Sequence, residues 1–415
     1  MVEGLFCESR ADLRKIRTKE RVFVAKIINI FSSADDEMKD YERKIWKHKM
    51  AVYLRYVVLV LLVIAVIAGV RYYVKNRSFS DYSIAETTER NDTLTTKYAS
   101  FGRKILKYSR DGVSYTDEKD KLLFSITYTM QDPMLVLNEK AGAVADRNGN
   151  QIYTFNQIQQ TGKIETLMPI KHLAISEQGV VAVLMEESSA SKLEVYASDG
   201  TLLGDGKFTL EDAGYPMNLT ISSDGTKIAI AFAQVSGTKF ESSVAVYNFD
   251  SVGENHVDHL VFAQNYTDYL IPEIHYFNNS TFAAVGDGML AIYQGTQIPE
   301  PVKEISFEKE LLSVFYGKEA IGLVLKEGQG QSLQIFDLKG NQEAEIPFDM
   351  NYDQVCIEDE WVLIYNDNEM GLYNYNGKEC FRQTFETSVT DIFTTNSRRK
   401  YLLIYNNETQ KMKLQ

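Results

Sequence analysis

One short phrase limits the fold of this chain more than any other feature. An apolar run with an aromatic near its fourth place, followed by a turn, recurs along most of the sequence. It is seen in GVSYTDEK (112–119), LEVYASDG (193–200), VAVYNFDS (244–251), LAIYQGTQ (290–297), LQIFDLKG (333–340) and GLYNYNGK (371–378). GAVADRNG (142–149) fits the same frame with Ala145 in the aromatic place. Each is followed by a second strand-like run: LLFSITY, KFTL, HLVFA, EISF, EIPF, CFRQTF and, after GAVADRNG, QIYTF. These seven hairpins are spaced 30 to 51 residues apart, near 43 on average. A second repeat aligns LAISEQGVVAVLM (173–185) with LTISSDGTKIAIA (219–231), each a strand ending in Ile-Ser, a turn with Gly, then another strand.

A period of about 40–45 residues is that of a four-stranded propeller blade. A blade buries its faces only against its neighbours, so the ring has to close. The C-terminal SVTDIFTTNSRRKYLLIYNN (388–407) adds a strand pair with no partner hairpin, and the hairpin at 112–128 lacks a first strand. The two ends are therefore expected to complete one blade together, giving seven blades. Eight follow if KILKY (104–108) is a further strand. A β-sandwich is the alternative architecture. The high use of Tyr (25) and Phe (21) suits sheets.

The stretch 50–70, MAVYLRYVVLVLLVIAVIAGV, is apolar apart from Arg55, and about 20 such residues cross a bilayer core. Tyr53, Tyr56, Tyr72 and Tyr73 stand where an aromatic belt would. Fifty residues precede the run, which argues against a cleaved signal peptide. Five basic residues (Arg43, Lys44, Lys47, Lys49, Arg55) flank it on the N-terminal side and three (Arg71, Lys75, Arg77) on the other. That asymmetry predicts an N-terminus inside and a body outside. The expected layout is a basic helical cytoplasmic segment over 1–49, a transmembrane signal-anchor helix over 50–74, a polar stalk over 75–100 and a mainly all-β propeller over 101–415. Residues 1–55 carry 13 Lys/Arg and 9 Asp/Glu, a net of +4, which leaves −17 of the total −13 for the rest. The basic, partly amphipathic run at 8–31 suits the anionic inner leaflet; Ser32 and Ser33 are candidate caps for the helix that follows.

The acidic body disfavours nucleic acid as a partner, because phosphate neutralisation needs clustered Lys and Arg. No arginine occurs from 148 to 381, so an arginine clamp for carboxylate or phosphate is excluded there. There is no GxSxG, and two tryptophans are too few for a Trp-docked quinone propeller. His256 and His259 in HVDH could meet a metal only in a loop, and DRNGN (146–150) reads as a turn and not a calcium loop. No cofactor, metal or catalytic residue is expected. Carboxylates cluster around 353–369, where a pair could serve a glycan-acting enzyme. Cys356 and Cys380 are expected on the first and last strands of one sheet, too far apart to bridge. Asp224-Gly225, Asp199-Gly200, Asn148-Gly149 and Asn376-Gly377 are read as structural turns. Asp224 is expected only to cap its turn, so that Asp224→Asn costs little.

ISSDGTKIAIA (221–231) resembles the Ser-Pro-Asp-Gly-Lys-Lys-Ile-Ala-Phe consensus of WD40-like and TolB-type propeller repeats, with Ser223 in place of Pro. KILKYSRDGVSYTDEKDKLLFSI (104–126) resembles a quinoprotein-like blade, with Phe124 where Trp is usual. The whole layout is similar to single-pass, membrane-anchored envelope proteins of Gram-positive anaerobes. The resemblance implies a bacterial cytoplasmic-membrane location and no assigned activity, so no catalytic residue is carried over. The expected function is a non-catalytic binding or scaffold module for a protein or an envelope polymer. The alternatives are the glycan-acting enzyme and a transmembrane sensor acting through 1–49. The longest insertions, near 235–242 and 251–270, supply the candidate partner contacts Tyr266, Tyr269, His256 and His259.

Overall fold

The computed structural model describes residues 37–415 apart from 188–189, 210, 212, 238 and 396. The chain forms two compact units, 1–74 and 75–415. In the first, helix α1 (Glu37–Lys75) runs on from a charged first third, and its part Lys49–Lys75 is long and apolar enough to cross a membrane. The expectations for the segment at 8–31 and for Ser32 and Ser33 fall outside the described residues.

The second unit is an eight-bladed β-propeller of four-stranded antiparallel sheets. Seven blades are continuous in sequence, over 97–127, 133–165, 170–209, 215–267, 273–306, 311–348 and 354–384. The eighth combines Asp391–Thr394, Lys400–Ile404 and Glu408–Leu414 with Tyr82–Glu89 as its outer strand. The ends of the propeller chain thus close the ring, Tyr82 opposite Leu414 and Glu89 opposite Glu408.

Eight buried apolar clusters lie one at each junction between neighbouring blades. The recurrent aromatic explains why. In blades 2 to 7 the third and fourth strands pair through a β-bulge whose extra residue lies on the fourth strand, and the third-strand residue beside it is Phe155, Tyr196, Tyr247, Tyr293, Phe336 or Tyr373. A bulge bends and twists the pair locally, and each of these rings is buried against the preceding blade. Burying such a ring contributes about 2–3 kcal/mol. In blade 1 the slot holds Thr116, because Tyr115 comes one place earlier and faces blade 2 instead.

The eight-blade form is thus the observed one, with KILKY inside the strand Lys104–Ser109. Two expectations are corrected. Residues 75–100 are not a stalk: they hold the closing strand Tyr82–Glu89 and the first strand of blade 1, Lys97–Phe101. The closing strand hides in composition because an outer edge strand is wetted on most sides, and few of its residues need be apolar. GAVADRNG also sits one strand earlier than the frame implies. Ala141–Asp146 is the second strand of blade 2, and QIYTF, with Phe155 in the slot, is the third.

Candidate functional site

The first strands of blades 2 to 6 and the turns that follow them enclose a cavity of about 1080 Å³. Its wall is stitched between blades. The Tyr276 N–H donates to Thr220 Oγ1 at 2.9 Å, and Asn138 Nδ2 donates to the Ile175 carbonyl at 3.1 Å. At the turns, Lys140 pairs with Glu177 at 2.5 Å, and Lys318 of blade 6 pairs with Glu139 of blade 2 at 3.0 Å. Blades 2 and 6 are four places apart in a ring of eight, so the second pair joins opposite sides of the ring.

Deeper in, the strand Glu273–Tyr276 alternates. Ile274 and Tyr276 turn into the apolar seam between blades 4 and 5. Glu273 and His275, with Phe277 just beyond, take the other face, as period 2 dictates. His275 stacks on Tyr316 of blade 6 with ring centroids 4.3 Å apart and planes 12° from parallel, and Phe277 stands edge-on to His275 at 4.8 Å. The Tyr316 hydroxyl is buried and makes no hydrogen bond. Desolvation raises the Glu273 carboxyl pKa and lowers the His275 imidazole to about 4. Burial, and then the Glu273 charge, keep the Tyr316 phenol protonated. Four carboxylates (Glu139, Glu177, Glu273, Glu319) and two lysines line the cavity, and both lysines are already paired. The sequence signal for this site was the alternation in EIHYF (273–277); the partner ring, 41 positions later in the chain, had none.

The proposed contact residues scatter elsewhere. Tyr266 is buried between blades 4 and 5, its hydroxyl bonded to those of Tyr293 and, at 3.1 Å, to Glu304, so it is not a free contact. Its alternation on the outer strand Leu260–Thr267 turns it inward. Tyr269 packs beside that seam. His256 is exposed, and His259 stacks on Phe249 at 5.0 Å in a pair of 3₁₀ turns. The 235–242 insertion is the tip of a long hairpin, Lys227–Ser236 with Lys239–Asn248, which exposes Val235 and Phe240.

The Asp224-Gly225 turn joins the first two strands of blade 4, with Gly225 at φ +76°. A Cβ there would sit 2.8 Å from Val180 of blade 3. Asp224 does more than cap. It accepts from Ser222 Oγ at 2.5 Å, and its carboxylate is 3.0 Å from the Lys227 ammonium, whose side chain is 1% exposed. The matching turn of blade 3 has Gly179 at φ +82°, its N–H bonded to the Ser176 carbonyl as that of Gly225 is to Ser222. Gly200 and Gly377 take positive φ between the third and fourth strands of blades 3 and 7. Asn148, at φ +62°, precedes Gly149 between the second and third strands of blade 2.

Cys356 and Cys380 are free, on the first and fourth strands of blade 7. Burial pushes the Cys356 thiol up to about 12. The acids near 353–369 divide between the ends of that blade. Glu358 and Asp359 follow its first strand, while Asp353, Asp367 and Glu369 lie one strand length away, roughly 15 Å. That separation is too wide for an acid at one end to pair with an acid at the other in work on one bond. Among the described residues, no three His, Cys, Asp or Glu side chains converge as metal ligands.

Residues 75–414 match a family of unknown function (DUF5711), and the chain belongs to that family. No curated protein matches it. Among solved structures, the fold is similar to the Dos1 propeller, at 11% identity and a TM-score of 0.50 over 81% of this chain and 94% of that one. It is also similar to BamB from Moraxella catarrhalis, at 11% identity and a TM-score of 0.47 over 80% of this chain and 100% of that one. At 11% identity the likeness to the Dos1 propeller concerns the β-propeller fold alone.

Proposed function

We propose that this protein is a non-catalytic binding module, held at a bacterial cytoplasmic membrane by the 49–75 part of α1 with its propeller outside. It takes a protein or an envelope polymer at the end of the ring where the cavity opens. The observation that carries this reading is the cavity itself, bounded by five blades and lined by the buried, unbonded Tyr316 hydroxyl. Turns and loops on a rigid scaffold are where binding concentrates. The apolar, charge-flanked helix and the excess of basic residues before it support the orientation.

A photoreactive residue placed at Asn279, exposed beside the cavity, tests the reading in intact cells. Crosslinks to an extracytoplasmic or membrane-embedded partner are expected. Crosslinks confined to cytosolic proteins, or activity of a C-terminal reporter only in the cytoplasm, would overturn it.

A further inference from the structure

The floor of the cavity is built as a set of hydrogen-bond acceptors waiting for a donor. Glu273 has no ion partner or hydrogen bond among the described residues, although it lies inside the ring. A carboxylate brought there without a cation pays a desolvation cost. The Tyr316 hydroxyl beside it is buried and unbonded. A neutral imidazole offers one lone pair. His275 stays neutral near pH 7, since desolvation holds its pKa near 4.

These groups sit on facing strands of blades 5 and 6, rigidly spaced by the His275–Tyr316 stack. Together they offer three acceptors (the Glu273 carboxylate, the Tyr316 oxygen and the His275 lone pair), and an alkylammonium carries three donors. Among the described residues no basic side chain fills the role. Lys140 and Lys318, the two lysines of the lining, are committed to Glu177 and Glu139 at the turns.

We infer that Glu273, His275 and Tyr316 form a receptor for an aliphatic ammonium group, supplied by a lysine side chain of a polypeptide or by a free polyamine. The inference rests on the reading of the cavity as the binding site and gives that site a ligand class. The carboxylate takes the charge, the phenol and imidazole oxygens and nitrogens complete the hydrogen bonds, and the rings exclude water from the methylene stem. The paired lysines at the turns discourage a second cation from occupying the mouth.

The test uses the full chain in neutral detergent micelles and fluorescence anisotropy with labelled tetralysine. Saturable binding is expected, at least tenfold weaker for Glu273→Gln and several-fold weaker for Tyr316→Phe. Lysine-acetylated tetralysine should fail to bind. Glu386→Gln, at an exposed carboxylate outside the cavity, should bind as the unaltered protein does. Competition by spermidine assigns the source: tighter tetralysine points to a polypeptide lysine, tighter spermidine to a free polyamine. Equal binding by Glu273→Gln with the fold intact, equal binding of the acetylated peptide, or no saturable binding overturns the receptor. If Glu273→Gln does not fold, Tyr316→Phe decides, and unchanged affinity there overturns it. Crosslinking from Asn279 that persists in Glu273→Gln would leave the binding-module reading standing while the ammonium receptor fell.

Discussion

The seam between blades 4 and 5 and the seam between blades 8 and 1 join sheets of the same design with opposite chemistry. At 4/5 the bulge slot is filled by Tyr293, which stacks on Phe282 with centroids 4.5 Å apart, against Ala229, Ala231, Val244 and Val246 of the neighbouring sheet. At 8/1 the slot holds Thr116, and only five apolar residues are buried, Tyr98, Ile105, Phe393, Leu402 and Ile404. Charge fills the remaining space. Lys107 lies 2.8 Å from Asp92 and 2.6 Å from Asp120, and Asp92 is 3.5 Å from Arg90. Arg90 lies over the Tyr98 ring at 4.6 Å and donates to the Tyr405 and Glu408 carbonyls. The other seven junctions join blades that follow each other in the chain. This one brings together its two ends, where a greasy surface alone would accept several registers. A buried ion set with fixed partners accepts one.

Breaking the charged seam should have the largest effect. Asp92→Ala leaves Arg90, with its side chain 0% exposed, without a carboxylate and Lys107, 8% exposed, with Asp120 alone, and should cost about 3–5 kcal/mol in urea unfolding. Replacing Arg90, Asp92 and Lys107 together by Met, Leu and Met removes the buried charges, leaves only the partly exposed Asp120, and should recover most of that loss, since matched apolar groups often equal a buried ion set. A triple variant as weak as Asp92→Ala would show that the ions stabilise as well as specify.

A smaller version of the same device sits at the Asp224–Lys227 turn of blade 4. Asp224→Asn removes the charge facing buried Lys227 and should cost about 2–3 kcal/mol, a cost that Lys227→Met in the same chain should largely remove. Next in size, Thr116→Phe imposes the 4/5 solution on the 8/1 slot and should cost about 1–3 kcal/mol by overpacking. A stabilised Thr116→Phe would mean the slot is merely unfilled.

The smallest effect is on acid sensitivity. The His275 pKa is lowered in the folded chain to about 4 from an ordinary value near 6.5. Between those values the unfolded chain binds the extra proton, so this residue's contribution to stability falls as pH drops from about 6.5 to 4. Glu273, with its pKa raised by desolvation, acts in the opposite sense as the solution turns acid. His275→Asn should therefore lose about 1 kcal/mol less between pH 7 and pH 5 than the unaltered chain, as read by parallel urea titrations. An identical acid loss would place His275 outside the desolvated interior.

Much of the ring was legible because one physical slot repeats. Wherever the slot held an aromatic after a short apolar run, the third and fourth strands could be read directly. Ala145 imitated the frame in blade 2 and shifted the reading there by one strand. The eighth blade was obscured for a different reason: Tyr82–Glu89 pairs through backbone bonds, and its side chains carry no apolar alternation. Tyr266 was misjudged because an aromatic in a long insertion looks like a contact until strand phase decides its side. The cavity floor needs Glu273, His275 and Tyr316 together, and only the packing of blade 5 on blade 6 supplies that.

The closed ring is the claim on which both the seam and the cavity rest, and amide hydrogen exchange of residues 82–89 in the full chain tests it most directly. The backbone pairing of Tyr82–Glu89 with Glu408–Leu414 predicts bonded amides that exchange at least about 100-fold more slowly than an unstructured peptide, and that open together with those of 408–414. Exchange across 82–89 at the unstructured rate, with blades 2 to 7 protected, would contradict the account and return this segment to a stalk.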